Sequence, residues 1–384
     1  MKKSLIALAV AGAFAAPSAM AVEFTPTLYQ SLAFSFNSAE VGGTTDASAD
    51  GESVRSGGGS TIGFKFTDDL GNGMTAEAYV HITTNLASGN DFKLAGRNGY
   101  VGLMGNFGSF KLGANEHVYE VGQIIDGWGA DWFGGNSVGF WTGSPTRLGI
   151  SGWNFTRQDL GSLWWTSPNW GGVVLDAAYI TGPGGAVSGL GLTEDAEGLQ
   201  LGVKWSNDAF MVSGAWADYS NYGQADNSWS GGSGNTQFGG GFQGDESGSV
   251  DANGVRITFV WTAGWGNLGV STNMMEAENT AVADSKNEGT TWSFTGTFNL
   301  ASGRIIANYV QADDQDYEGA KVENSGATGF DIGYQHDLSA SSYAFVRYEV
   351  NEGDENYQMA DAAGINPLGK TESDALMLGL KVSY

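Results

Sequence analysis

The chain contains no cysteine, which excludes a disulfide framework, a thiolate metal site and a cysteine redox centre. Proline is also scarce, with 6 among 384 residues, while glycine reaches 61. The glycines follow no three-residue period, so a collagen-like chain is excluded. Basic side chains are few: 17 Lys and Arg stand against 42 Asp and Glu, for a net charge of −25. General nucleic-acid binding needs clustered cations to neutralise phosphates, and that class is excluded with it. Beyond residue 21 no apolar run approaches the ~18 residues a membrane-spanning helix requires. What is present is 12% aromatic and 41% hydrophobic residues, too many for a disordered acidic chain.

Residues 1–21 have the layout of an export signal. Lys2 and Lys3 open it, Leu5 to Ala16 is apolar, and Ala19-Met20-Ala21 offers a small-x-small cleavage site. The expectation is that 1–21 is removed and that residues 22–384 form one exported domain.

From residue 22 the dominant period is two. Phe24, Leu28, Leu32, Phe34 and Phe36 share one parity, and Thr25, Thr27, Tyr29, Ser31 and Ser35 the other. Ile62, Phe64 and Phe66 alternate with Thr61, Gly63, Lys65 and Thr67. Met74, Ala76, Ala78, Val80 and Ile82 alternate with Thr75, Glu77, Tyr79 and His81. Alternation of this kind predicts strands with one apolar and one polar face. About sixteen such segments follow one another, near 24–36, 60–67, 74–83, 97–104, 109–114, 160–167, 173–180, 199–206, 209–218, 254–262, 267–275, 290–300, 303–311, 327–336, 342–350 and 373–384.

The connectors alternate in length. Short ones rich in Gly, Asn, Asp and Pro suit tight hairpins. Long ones lie near 37–59, 84–96, 115–159, 181–198, 219–253, 276–289, 312–326 and 351–372. Tight turns at one end and long loops at the other describe an all-β, up-and-down antiparallel barrel of the transmembrane kind. A barrel of this size is too wide for side chains to fill, so its interior holds water and its apolar face meets lipid. The polar faces carry Lys65, Glu77, Lys111, Asp176, Lys204, Arg256, Asp331, Arg347 and Lys381, which suits a wet lumen. Thirteen Trp and fourteen Tyr suit aromatic girdles at the two interfaces. Leu376, Leu378, Leu380, Val382 and Tyr384 alternate to the last residue, predicting a final strand that pairs with the first and closes the sheet.

These residues resemble the trimeric general porins of Gram-negative outer membranes, of the sixteen-strand proteobacterial type. The similarity lies in Ser60-Thr61-Ile62-Gly63-Phe64-Lys65 running into Asp68-Asp69-Leu70-Gly71-Asn72-Gly73. It continues through Arg97, Tyr100-Val101-Gly102-Leu103, Phe107-Gly108 and Leu112-Gly113. Ser162 through Thr166-Ser167-Pro168-Asn169-Trp170-Gly171-Gly172, and Gly379-Leu380-Lys381 with terminal Tyr384, complete it. Residues 180–325 match by pattern alone. The resemblance implies a homotrimer in outer-membrane lipid that passes small hydrophilic solutes and ions, with no cofactor and no nucleic-acid partner. It also implies that the third external loop folds into the barrel and narrows it, and that the terminal Tyr384 serves as an assembly signal. On the 115–159 connector the candidate constriction residues are Glu116, Glu120, Asp126 and Asp131, facing basic wall candidates Lys65, Lys111, Arg147 and Arg157. The family's usual arginines are replaced by Thr61 and Ala114, so the basic lining is thinned and a preference for cations is expected.

Three further readings fit the same residues. Trp128, Trp132 and Trp141 on the same connector could form a sugar track, making a saccharide-specific porin. A secreted β-rich carbohydrate-binding protein or hydrolase, or a barrel acting mainly as an adhesin, would fit the strand pattern as well. Asp314, Asp316 and Glu318 resemble the opening of a calcium loop, but the twelfth position is Ser325 rather than a bidentate Glu. No enzyme is expected: His81, His117 and His336 lack metal-ligand spacing. There is also no phosphate loop, and Gly149-Ile150-Ser151-Gly152-Trp153 fails as a nucleophile elbow.

Overall fold

The structure, a computed structural model, describes residues 22–41, 47–48, 51–56, 60–84, 92–116, 158–181, 197–220, 250–279, 286–314, 316–317, 319–355, 358–361, 364–367 and 370–383. Sixteen strands form the wall. The first eight are β1 (Glu23–Val41), β2 (Thr61–Gly71), β3 (Met74–Thr84), β4 (Phe92–Gly105), β5 (Gly108–Glu116), β6 (Gln158–Thr166), β7 (Val173–Thr181) and β8 (Glu197–Ser206). The second eight are β9 (Phe210–Ser220), β10 (Val250–Ala263), β11 (Gly266–Asn279), β12 (Asn287–Leu300), β13 (Gly303–Ala312), β14 (Ala327–Asp337), β15 (Ser342–Gly353) and β16 (Thr371–Ser383). Each pairs antiparallel with its sequence neighbours.

The sheet closes on itself. β16 pairs with β15 on one side and with β1 on the other, in register from Tyr29 opposite Ser383 to Val41 opposite Thr371. Lys381, opposite both Ser31 and Tyr343 in that register, holds its ammonium 4.4 Å from the Tyr29 ring and 5.0 Å from the Tyr343 ring. A cation over two aromatic faces adds to the backbone pairing at the seam. Closure matters because an unpaired edge has no hydrogen-bond partner in hydrocarbon.

The two faces of the wall are inverted relative to a soluble β protein. Val101, Leu112, Leu163, Leu201, Ile257, Phe294, Leu378 and Leu380 are exposed, while Ser35, Gln200, Thr258, Asn308 and Asp331 are buried. Successive side chains point to opposite faces, so the apolar stripe of each strand lies outside and the polar one inside. Aromatic rings gather toward the short-turn end. Trp265 lies between Trp261 and Phe298, each at 5.4 Å, and Phe110 between Phe107 at 5.8 Å and Trp165 at 6.4 Å. Toward the other end Trp292, Phe294, Tyr309, Phe330 and Tyr348 are exposed on the same outer face. Six residues from Phe298 to Trp292, at ~3.3 Å each and tilted by ~40°, give a rise of roughly 15 Å, within the ~25 Å apolar band of such barrels.

The hairpin turns explain the registers. Between β2 and β3, Gly71, Asn72 and Gly73 all have positive φ, at 77°, 54° and 74°, and the Asp69 carboxylate accepts the Gly71 N–H at 2.8 Å. Asn and Gly tolerate that left-handed region, which matches the twist of the flanking strands. Between β8 and β9, Asn207 Oδ1 accepts the N–H groups of Ala209 and Phe210, each at 2.8 Å.

Two expectations need correction. Several strands run past the alternating segments at the long-loop end, as β11 does to Asn279, because ladder pairing continues beyond the apolar band. The connector expected over 37–59 is not all loop: β1 extends to Val41, and Gly51–Ser56 pairs with it from Leu32 to Asn37. Shorter ladders also occur at 316–321 and at 358–367.

Candidate functional site

Every polar-face charge named from the sequence has the parity of the inward face. The inward face of β2 to β5 brings four of its side chains together. In register, Thr67 lies opposite Glu77, Glu77 opposite Gly102, and Gly102 opposite Lys111. Lys65, one inward position along β2, forms an ion pair with Glu77. The other Glu77 oxygen accepts the Tyr100 hydroxyl at 2.5 Å, and Lys111 Nζ lies 4.5 Å from the Tyr100 ring centre. The Glu77 side chain is 4% exposed and that of Lys65 43%. The carboxylate is thus fixed in the wall while the ammonium reaches the lumen.

A second group spans β12 to β15. Thr295 donates to Asn308 Oδ1 at 2.5 Å, Asn308 Nδ2 donates to Asp331 Oδ1 at 2.8 Å, and Arg347 Nη2 donates to Asp331 Oδ2 at 2.8 Å. Glu349 Oε2 is 3.4 Å from the same guanidinium nitrogen. Thr295, Asn308, Asp331 and Glu349 share one row through the registers. Arg347 and Asp331 are buried to 1% and 0% side-chain exposure. On β7 the Asp176 carboxylate accepts from Thr166 at 2.6 Å and from Trp164 Nε1 at 3.3 Å.

Of the sequence-stated wall residues, Lys65 and Lys111 stand on the inner face, on either side of Glu77 and Tyr100. The Glu116 backbone ends β5, opposite Gln158. Glu120, Asp126, Asp131, Arg147, Arg157, Glu318 and Tyr384 lie outside the described residues. Asp316 is exposed and pairs through its backbone with Glu288 and Lys321.

Asp314 acts as a clip within its loop. Its Oδ1 accepts the N–H groups of Ser325 at 2.9 Å and Gly326 at 3.0 Å, and its Oδ2 lies 3.2 Å from Lys321 Nζ. Burial opposes ionisation, but the Lys321 ammonium and the two N–H donors outweigh it and hold the carboxyl below its ordinary range. On the neighbouring hairpin Lys286 bridges Glu276, at 2.9 Å, and Glu288, and its ammonium is pushed above the ordinary lysine range by those two carboxylates.

Sequence reasoning saw Glu77 as a polar-face residue but not its role as partner of Lys65, nor Tyr100 as its second ligand. Two signals were present: an acid one hairpin away from a lysine of the same parity, and a glycine in the next strand.

Comparison with known proteins adds to this geometry. A family model described as Gram-negative porin matches residues 7–356. The major outer membrane protein P.IA of Neisseria meningitidis serogroup C is 24% identical over 336 residues, covering 80% of this chain and 81% of that protein. P.IB of Neisseria meningitidis serogroup B is 33% identical over 218 residues, 55% of this chain and 57% of that protein. Among solved structures, an anion-selective porin from Comamonas acidovorans superposes with TM-score 0.67 at 15% identity, over 95% of this chain and 100% of that one. The trimer form of OmpT from Vibrio cholerae gives 0.61 at 15% identity, over 96% and 100%.

Proposed function

The chain belongs to the Gram-negative porin family, an outer-membrane channel rather than an enzyme, and from that premise we propose that it conducts with a preference for cations. The observation that carries this is the pairing of the wall's own charges. Lys65 is matched by Glu77, and Arg347 by Asp331 and Glu349, so two of the lining's cations are countered in place. The chain as a whole carries −25. Charges met inside a low-dielectric wall act more strongly on a passing ion than the same charges in bulk water. The Comamonas acidovorans protein shares the fold at 15% identity, and ion preference is a property of side chains, not of fold.

The reading includes three further parts. Residues 1–21 are removed on export. The mature chains assemble as a homotrimer, a state supported by the OmpT trimer form. The third loop, within 115–159, enters the barrel and brings Glu116, Glu120, Asp126 and Asp131 toward Lys65, Lys111, Arg147 and Arg157.

Reversal potentials across a potassium chloride gradient in a planar bilayer test it. Discrete conductance steps and a potential of cation-preferring sign are expected, moving toward zero when Asp126 and Asp131 are both changed to Asn. A wild-type pore that prefers chloride, or a chain that opens no channel, would overturn the reading.

A further inference from the structure

We propose that Glu77 is a selectivity-determining residue of the pore, acting as a counter-ion built into its wall. This rests on the channel reading above. Glu77 stands between two lysines: Lys65 on one side by direct ion pair, and Lys111 on the other across Gly102. Gly102 keeps the second approach open. A Cβ there would stand 3.4 Å from Lys111 Cγ and 3.1 Å from the Phe110 carbonyl oxygen, so any side chain would press into the space between the two charges.

Both carboxylate oxygens are engaged. One oxygen is held by Lys65 and the other by the Tyr100 hydroxyl. With Glu77 ionised, this patch presents a single net positive charge to the lumen. Without it, the patch presents two. The water-exposed position of Lys65 makes the difference felt by an ion beside the wall. The other large group of wall charges, Asp331, Arg347 and Glu349, is sealed from water at 0–4% side-chain exposure. Pairing there stabilises the wall, while pairing at Glu77 sets what the ion meets.

The experiment compares permeability ratios from reversal potentials for wild type, Glu77→Gln, Glu77→Asp, and Glu77→Gln combined with Lys65→Met. Each variant is first checked for the electrophoretic shift on heating that marks a folded barrel. Glu77→Gln should lower the potassium-to-chloride ratio about tenfold, because one unit charge met at about 6 Å through water shifts each ion about threefold, in opposite directions. Glu77→Asp should keep the wild-type ratio, and the double variant should return toward it. Equal ratios in wild type and Glu77→Gln, with both folded and conducting, overturn the proposal. So does a Glu77→Asp variant shifted as far as Glu77→Gln, which would assign the effect to shape rather than charge. A wild-type chain that opens no channel overturns the channel reading instead.

Discussion

Arg347 on β15 donates to Asp331 on β14 at 2.8 Å with neither side chain reached by water. Removing one member of such a pair leaves an uncompensated buried charge, which costs about 3–5 kcal/mol, whereas replacing the whole group by neutral residues is often tolerated. Arg347→Met should therefore lower the midpoint of barrel unfolding in urea and detergent sharply. Adding Asp331→Asn and Glu349→Gln should recover most of the loss. Equal midpoints for wild type and Arg347→Met would mean that the pair is hydrated in solution.

Tyr219 covers Gly198, its cross-strand partner, on the inner face of β8 and β9. A Cβ on Gly198 would stand 2.5 Å from ring carbon Cδ1, and the Tyr219 hydroxyl also accepts from Gln200 Nε2 at 2.6 Å. Gly198→Ala should displace the ring and cost roughly 1–3 kcal/mol, as overpacking does. Measured by the same unfolding assay, Gly198→Ala with Tyr219→Ala should show less than the sum of the single losses, because the clash is gone.

The Asp314 clip predicts a pH dependence. A carboxyl whose folded-state pKa is depressed below its value of 3.8 stabilises its loop fully above that value. The contribution is lost as pH falls through the lower folded value. Limited proteolysis of the 319–326 loop, with an acid-active protease at low pH, should stay slow at neutral pH and rise only as pH falls below 3.8. Asp314→Ala should make cleavage fast at every pH, and a loop equally resistant in that variant would assign its order to other contacts.

Assembly should depend on the last residue more than conduction does. β16 is paired on both sides up to Val382 and Ser383, and in the sequence Tyr384 has the parity of Leu376, Leu378 and Leu380. Deleting Tyr384, or changing it to Ser, should lower the amount of protein reaching the outer membrane. The single-channel conductance of what does arrive should match wild type. Normal levels in the deletion would remove this role.

The strands were legible because their signal is local. Alternation of apolar and polar residues declares a two-faced strand without reference to its neighbours, and the run Leu376, Leu378, Leu380 declared the closing strand in the same way. Charge pairing was not legible, because it depends on register. Whether Glu77 meets Lys65 is decided by the turn at Gly71-Asn72-Gly73 and by the register shift between Asp69 and Gly71. Parity also fails where a strand is irregular. The pairing of β3 with β4 shifts from Val80 opposite Gly99 to Ile82 opposite Leu94, so an alternation counted from Val101 does not carry through β4. The strand Gly51–Ser56 carries acid and serine in place of an apolar stripe, and it forms by pairing with the outer half of β1.

The seam between β1 and β16 ties together residues about 330 or more positions apart. The entropy of closing a chain grows only with the logarithm of its length, so the thermodynamic cost of this distance is modest. The cost falls on time: contacts of such long range are the slowest to find. Until they form, both terminal strands carry a full row of unanswered amides, and hydrocarbon offers them nothing. A barrel lacking its last strand has no stable resting place in the bilayer. The topology thus makes insertion conditional on a finished chain, so the fold screens its own truncated products.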